Sequence, residues 1–244
     1  MNPNLTRNDS RLLILVLTTG DIKENLVKWL WYAVPSAPCM CVWDTVHGRP
    51  EDDTRNCAVQ TFLADRRQFT HLMMIDYDII PPPRLLDMIL HQKSIVTPVL
   101  LTWKEEAPLA LIMKWDEEEQ GYKQDHKAIA RMNQGDSLVE VDASGTGCVL
   151  VKREVYENLV SNWFRYQYDD VGRLKMGEDF SFYHRVRGLG YQVWIDGRFI
   201  CGHIGQIDIR EVQNTLARRQ YKDENSKDTT QEASNGGRDR ISIS

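Results

Sequence analysis

The sequence predicts an α/β fold built on a mostly parallel, doubly wound sheet. Two observations carry that expectation. Apolar runs of strand length recur through the first hundred residues, and helical stretches alternate with them three times.

The first run, residues 11–17 (RLLILVL), is continuously apolar, as a strand buried on both faces is, with Thr18, Thr19 and Gly20 as its exit loop. Asp21 can cap the stretch that follows, which has apolar residues at helical spacing until Pro35 stops it. Residues 39–44 form a second strand leading into a turn-rich loop, HGRPEDD. Residues 53–68 read as a helix with Ala58, Val59, Phe62 and Leu63 on one face. Residues 71–75 are a third buried strand ending at Asp76, and Pro81–Pro83 start a helix over 84–91. Residues 94–101 make a fourth strand.

The second half changes character. Strands are expected over 109–115 and 138–141, flanking a polar, less regular stretch at 116–136. A strand at 147–151, a helix at 154–162, a helix at 179–189 closed by Gly190, and a short strand at 192–195 follow. Residues 210–219 read as a basic amphipathic helix, either a solvated face or a phosphate clamp. Beyond residue 221 apolar content nearly vanishes, which predicts a disordered tail over 222–244. The expectation is one domain over 1–221, in two halves (11–101 and 102–205) with a C-terminal helix (206–221).

Composition narrows the class. The chain has 244 residues, 42% apolar and 27% charged, with a mean hydropathy of −0.46. These values are ordinary for a soluble globular protein. A net charge of −5 disfavours nucleic acid as the main partner, although a local contact stays open. Neither a membrane-spanning run nor a signal peptide is present, so a cytoplasmic location is expected. Five scattered cysteines read as reduced, mostly buried thiols.

Chemistry concentrates at HLMMIDYDII. Open α/β sheets bind ligands at the carboxyl ends of their strands, and alternate residues of an extended chain point the same way. Asp76 and Asp78 can therefore converge, and such like charges repel unless a cation lies between them. Mg²⁺ and Mn²⁺ prefer oxygen ligands and commonly pair one or two carboxylates with substrate phosphates. The plain alternative is a pair of turn residues before a proline-started helix. Glu178 and Asp179 open a later helix, where acidic residues are ordinary caps. His203 follows the last strand in CGHIG, and an imidazole suits Mn²⁺ beside carboxylates. Trp103 and Trp115 could stack a sugar or simply pack, and the aromatic run at 163–168 could wall an acceptor site or form a lid.

The order of these segments resembles glycosyltransferases of the GT-A fold, particularly the family-2-like group. The matching segments are EDDTRNCAVQTFL, MMIDYD, DASGTGCVLVKREVYENL, GEDFSFYHRV and CGHIG, spread over roughly residues 11–205. The resemblance implies a GT-A type, Rossmann-like central sheet flanked by helices, with a smaller acceptor-side half. It implies a hexosyltransferase-type enzyme taking a UDP- or GDP-sugar donor with Mn²⁺ or Mg²⁺. Asp78 would bind the ion, Asp76 the ribose or the ion's water shell, and His203 would complete the metal site. Thr18 and Thr19 would lie beside the base, with Arg55, Asn56 and Tyr77 facing the nucleotide. Gly145, Thr146 and Gly147 would border the donor sugar or acceptor, as would Trp103. Asp179 would be the base of an inverting transfer, with Glu178 orienting its neighbours.

That chemistry is coherent on its own terms: an ion stabilises charge on a leaving nucleoside diphosphate, and a carboxylate takes the acceptor's proton. The acceptor is unspecified. Three rivals stand beside it. One is a nucleotidyltransferase acting on a sugar phosphate, against which the non-basic loop at Thr18–Asp21 counts. The second is a glycosyltransferase acting on modified bases in nucleic acid. The third is a non-catalytic nucleotide-sugar-binding module.

Overall fold

The computed structural model describes residues 9–48, 51–104 and 107–204. The first half follows the expected alternation: β1 (Arg11–Thr18), α1 (Glu24–Ala33), β2 (Met40–His47), α2 (Glu51–Ala64) and β3 (His71–Asp76). A short β4 (Ile79–Ile80) and a 3₁₀ helix (Leu85–His91) lead to β5 (Ile95–Val99). The hairpin of β6 (Leu101–Lys104) with β7 (Ala107–Ala110) precedes a second hairpin, β8 (Met113–Asp116) with β9 (Gly121–Gln124). Then come α3 (His126–Asn133), β10 (Leu138–Val141), β11 (Cys148–Lys152), α4 (Arg153–Leu159) and the small pair β12 (Gln167–Tyr168) and β13 (Leu174–Met176). The described chain ends with α5 (Glu178–Gly188), β14 (Val193–Ile200) and β15 (Gly202–His203).

Seven strands make the central sheet in the order β10-β14-β5-β11-β3-β1-β2. β2, β1 and β3 are mutually parallel, as are β14 and β5, while β11 and β10 run antiparallel to their neighbours. The sheet is thus mostly parallel, and it departs from a purely parallel one at the edge strand β10 and at β11, inserted between β3 and β5. An apolar run buried on both faces carries no mark of its direction, so CVLVK reads alike either way.

Alternation along β1 splits the core into two layers. Leu13, Leu15 and Leu17 pack with Phe62 of α2, Tyr156 of α4 and Phe182 of α5. Leu12, Ile14 and Val16 pack with Leu26 and Leu30 of α1 and with Met88 of the 3₁₀ helix. Every one of these residues is essentially inaccessible to water. At roughly 25 cal/mol per Å² of apolar surface, such two-sided burial is the main drive for the fold.

Other expectations need correction. The helix expected over 84–91 is a 3₁₀ helix over Leu85–His91, bounded by Arg84 (φ 63°) and Gln92 (φ 55°), both left-handed. The strand expected over 109–115 is broken at Leu111 and Ile112, and the polar stretch after it holds β9 and α3. Asp125 caps α3 by accepting from the amides of Lys127 and Ala128. Only Cys148 and Cys201 of the five free cysteines are buried; Cys39 and Cys41 are half-buried and Cys57 is exposed. Among the described residues no helix is long and apolar enough to cross a membrane. The basic stretch at 210–219 and the tail at 222–244 lie outside the described residues. Trp103–Leu109 belong to a small unit apart from the one that carries the sheet.

Candidate active site

Parallel register brings three strand ends to one edge. Leu17 stands opposite Asp76, and Thr18 opposite His47. Asp76 is the last residue of β3, and Asp78 follows just before β4. β15 pairs antiparallel with β4, setting His203 opposite Ile79, and the Ile204 amide donates to the Asp78 carbonyl at 2.9 Å. This two-strand clasp puts His203 Nε2 3.3 Å from Asp78 Oδ2. His203 Nδ1 lies 3.3 Å from the Leu101 carbonyl. With the proton on Nδ1 and donated there, Nε2 keeps its lone pair for Asp78's side.

Asp76 faces a different partner. Arg55 of α2 donates from both terminal nitrogens to its carboxylate, at 2.9 and 3.1 Å, in the two-pronged geometry that suits a guanidinium. Arg55 is buried, and its Nε lies 3.5 Å from Glu178 Oε1. Burial works against the Arg55 charge, but Asp76, Glu178 and Asp179 outweigh it and hold its pKa above the ordinary value. Gly147 stands behind Asp76. The Asp76 amide donates to its carbonyl at 2.8 Å, and a Cβ on Gly147 would meet Asp76 Oδ2 at 3.2 Å.

Glu178 and Asp179 open α5, after Gly177 at the cap. Burial first, and then the charge of Glu178, push Asp179 up to about 6, although its Oδ1 accepts from the Phe180 amide at 2.7 Å. Tyr166 lies close by, its hydroxyl 3.4 Å from Glu51 Oε2, and burial followed by Glu178 raises its pKa.

A cleft of about 230 Å³ runs along this edge, just under the roughly 300–1,000 Å³ of small-molecule sites. Thr18, Thr19, Arg55, Tyr77, Asp78 and His203 line it, together with Asp76. Thr18 is committed to its own turn: its hydroxyl accepts from the Gly20 amide at 3.0 Å and lies 3.2 Å from the Asp21 carbonyl. Asn56 is turned to another task, since its amide nitrogen donates to the Phe164 carbonyl and its oxygen accepts from the Phe164 amide, at 2.7 and 3.0 Å. Thr146 is buried, its hydroxyl without a hydrogen-bond partner among the described residues, and Gly145 accepts from the buried Tyr183 hydroxyl at 3.1 Å. Trp103 is exposed, on the small separate unit.

Glu51 and Thr54 also line the cleft, which the sequence reading missed. The acidic start of α2 reads as a turn-rich loop when the helix is taken to begin two residues later.

Among the described residues no three His, Cys, Asp or Glu side chains close round one point as a metal cage. Two ligands do suit an ion that substrate completes. Ligands about 2.1 Å from one ion and at right angles lie about 3.0 Å apart, and Asp78 and His203 stand 3.3 Å apart. Hard divalent ions that keep waters and phosphate oxygens need no more protein than this.

No protein-family model matches the chain, and no curated protein matches its sequence. Solved structures do resemble it. A197 from STIV has a TM-score of 0.54 at 16% identity, covering 80% of this chain and 86% of that one. GalNAc-T7, solved with UDP, GalNAc and Mn²⁺, has a TM-score of 0.50 at 11% identity over 86% of this chain. This chain covers 48% of GalNAc-T7, about half its length. The catalytic domain of Drosophila β1,4-galactosyltransferase 7 has a TM-score of 0.44 at 15% identity, over 81% of this chain and 71% of that one, too low to bear on the fold. At these identities the likeness speaks to fold alone, and that fold is α/β, of the GT-A type.

Proposed function

We propose that the protein is a glycosyltransferase moving a sugar from a nucleoside-diphosphate sugar, UDP- or GDP-linked, to an acceptor hydroxyl with Mn²⁺ or Mg²⁺ in the site. The observation that carries this reading is Asp78 paired with His203 at a strand-end cleft, with Arg55 reaching Glu178 beside it and Asp179 next along α5. Asp78 and His203 hold the ion. When bound, it neutralises charge that grows on the leaving nucleoside diphosphate. Asp76 serves the ribose or the ion's water shell, and Tyr77 with Thr18 and Thr19 lines the side for base and ribose.

Asp179 takes the acceptor's proton. As that oxygen bonds the anomeric carbon, the bond from carbon to the diphosphate breaks on the opposite face. One base and no carboxylate nucleophile give inversion. A carboxyl titrating near 6 suits the task, being largely ionised at neutral pH yet more basic than a free aspartate.

The test is a melting series with UDP, GDP, ADP, CDP and UTP, each with and without Mn²⁺. One diphosphate should raise the melting temperature only with metal, by the equivalent of about 2.7 kcal/mol at a hundred times Kd. Asp78→Ala should abolish that metal dependence. No response to any nucleotide, or an undiminished one in Asp78→Ala, would sink the assignment. A larger response to UTP than to any diphosphate would point to nucleotidyl transfer.

A further inference from the structure

We propose that Arg55 is a positioning residue, one buried guanidinium that sets the donor-side carboxylate Asp76 and the acceptor-side carboxylate Glu178 relative to each other, rather than a ligand of the nucleotide. The catalytic consequence rests on the glycosyltransferase reading; the structural linkage does not.

Three observations converge. Both terminal nitrogens of Arg55 are engaged by Asp76, in the same two-pronged contact. Its Nε points toward Glu178 at 3.5 Å, and that buried nitrogen has no hydrogen-bond partner among the described residues. The side chain is 7% exposed, so Arg55 shows the cleft little more than an edge. A buried N–H left about half an ångström short of a hydrogen bond is costly, and the same shift toward Glu178 would satisfy it. Asp76 and Glu178 come from β3 and α5, in the two halves of the chain, and each stands within two residues of a group proposed to act directly, Asp78 and Asp179. The spacing from ion to base therefore passes through one side chain. The next residue, Asn56, repeats the pattern by clamping Phe164 at both backbone groups. Lysine retains the charge at position 55 but has a single prong, and cannot hold two carboxylates in one plane.

Two measurements test this. The first is melting temperature for Asp76→Asn, Glu178→Gln and the double variant. If one guanidinium serves both carboxylates, each single change leaves it a counter-charge and the double removes both. The combined loss should then exceed the sum of the singles. Failure of the double to fold where both singles fold is the same result in stronger form, and simple additivity overturns the linkage whether or not the protein is a transferase. The second compares wild type with Arg55→Lys in Mn²⁺-dependent binding of UDP and GDP and in hydrolysis of UDP-glucose, UDP-N-acetylglucosamine, UDP-galactose and GDP-mannose. Binding should stay within about threefold while turnover falls about 100-fold, the mark of a misplaced catalytic group. Parallel loss of binding and turnover would make Arg55 a nucleotide ligand, and full activity in Arg55→Lys would remove its positioning role. A wild type that neither binds nor hydrolyses any of these probes overturns the glycosyltransferase reading and with it the positioning role, while the melting comparison still decides the linkage.

Discussion

Asp179 stands beside Glu178 and largely out of water, and both circumstances favour its protonated form. A base must be ionised to accept a proton, so transfer should rise with pH through about 6 and level above it. Asp179→Asn should lower transfer about 10²–10⁴-fold while leaving donor affinity nearly intact. The check is a pH–rate profile for the wild type and a binding titration for the variant; collapse of donor affinity would show that Asp179 serves binding instead. The Asp76–Asp78 pair stands out in the sequence because an apolar strand runs into it, whereas Asp179 at a helix start reads by itself as an ordinary cap and owes its proposed role to the resemblance. Arg55 is legible as a residue but not in its partners, since contact between residues 55, 76 and 178 is a matter of tertiary packing. Asn56 illustrates the same limit: nothing local to it reveals that Phe164, more than a hundred residues on, takes both ends of its amide.

Elements were readable in proportion to their apolar content. β1, β3 and β11 are runs with no polar interior, β5 has only Thr97, and their positions follow directly. α3, with one buried residue, and the β8–β9 hairpin are polar, so little but a cap marks them. Strand direction was the larger loss, and it matters to the site. Because β11 runs antiparallel to β3, with Cys148 opposite Ile75, Gly147 arrives against the Asp76 carboxylate. A methyl group there would stand 3.2 Å from Asp76 Oδ2 and 3.4 Å from Ile79 Cδ1, tight contacts on a carboxylate already held by Arg55. Gly147→Ala should therefore cost about 1 kcal/mol of stability and weaken Mn²⁺-dependent nucleotide binding more than it weakens the fold. Urea denaturation beside a nucleotide titration measures both; unchanged binding would mean that Asp76 has room to yield.

At the scale of the whole molecule, Asp179 on α5 and His71 at the start of β3 set opposing pH dependences. Asp179 has its folded pKa raised from 3.8 to about 6. Its contribution to stability is fully present below 3.8 and is lost as pH rises through about 6. His71, at the start of β3, has its folded pKa lowered from 6.5 to about 4, by burial and then by the nearby charge of Lys152. Its contribution is present above 6.5 and is lost as pH falls toward 4. Between pH 4 and 6 the two slopes have opposite signs and nearly cancel. Asp196, where burial is outweighed by hydrogen bonds from Arg198 and His91, has its pKa lowered, so its contribution is lost only at more acid pH. Removing either group should expose the other. Asp179→Asn should be more stable than wild type at pH 7.5 and lose that advantage by pH 4.5, by on the order of 1–2 kcal/mol. His71→Asn, which can keep the contact now made between Nδ1 and the Thr70 hydroxyl at 2.8 Å, should instead resist acid better than wild type. Urea unfolding of the three proteins from pH 4.5 to 7.5 gives the curves. Parallel curves would show that neither group changes its proton affinity on folding, and would take away the raised pKa on which Asp179's role as base depends.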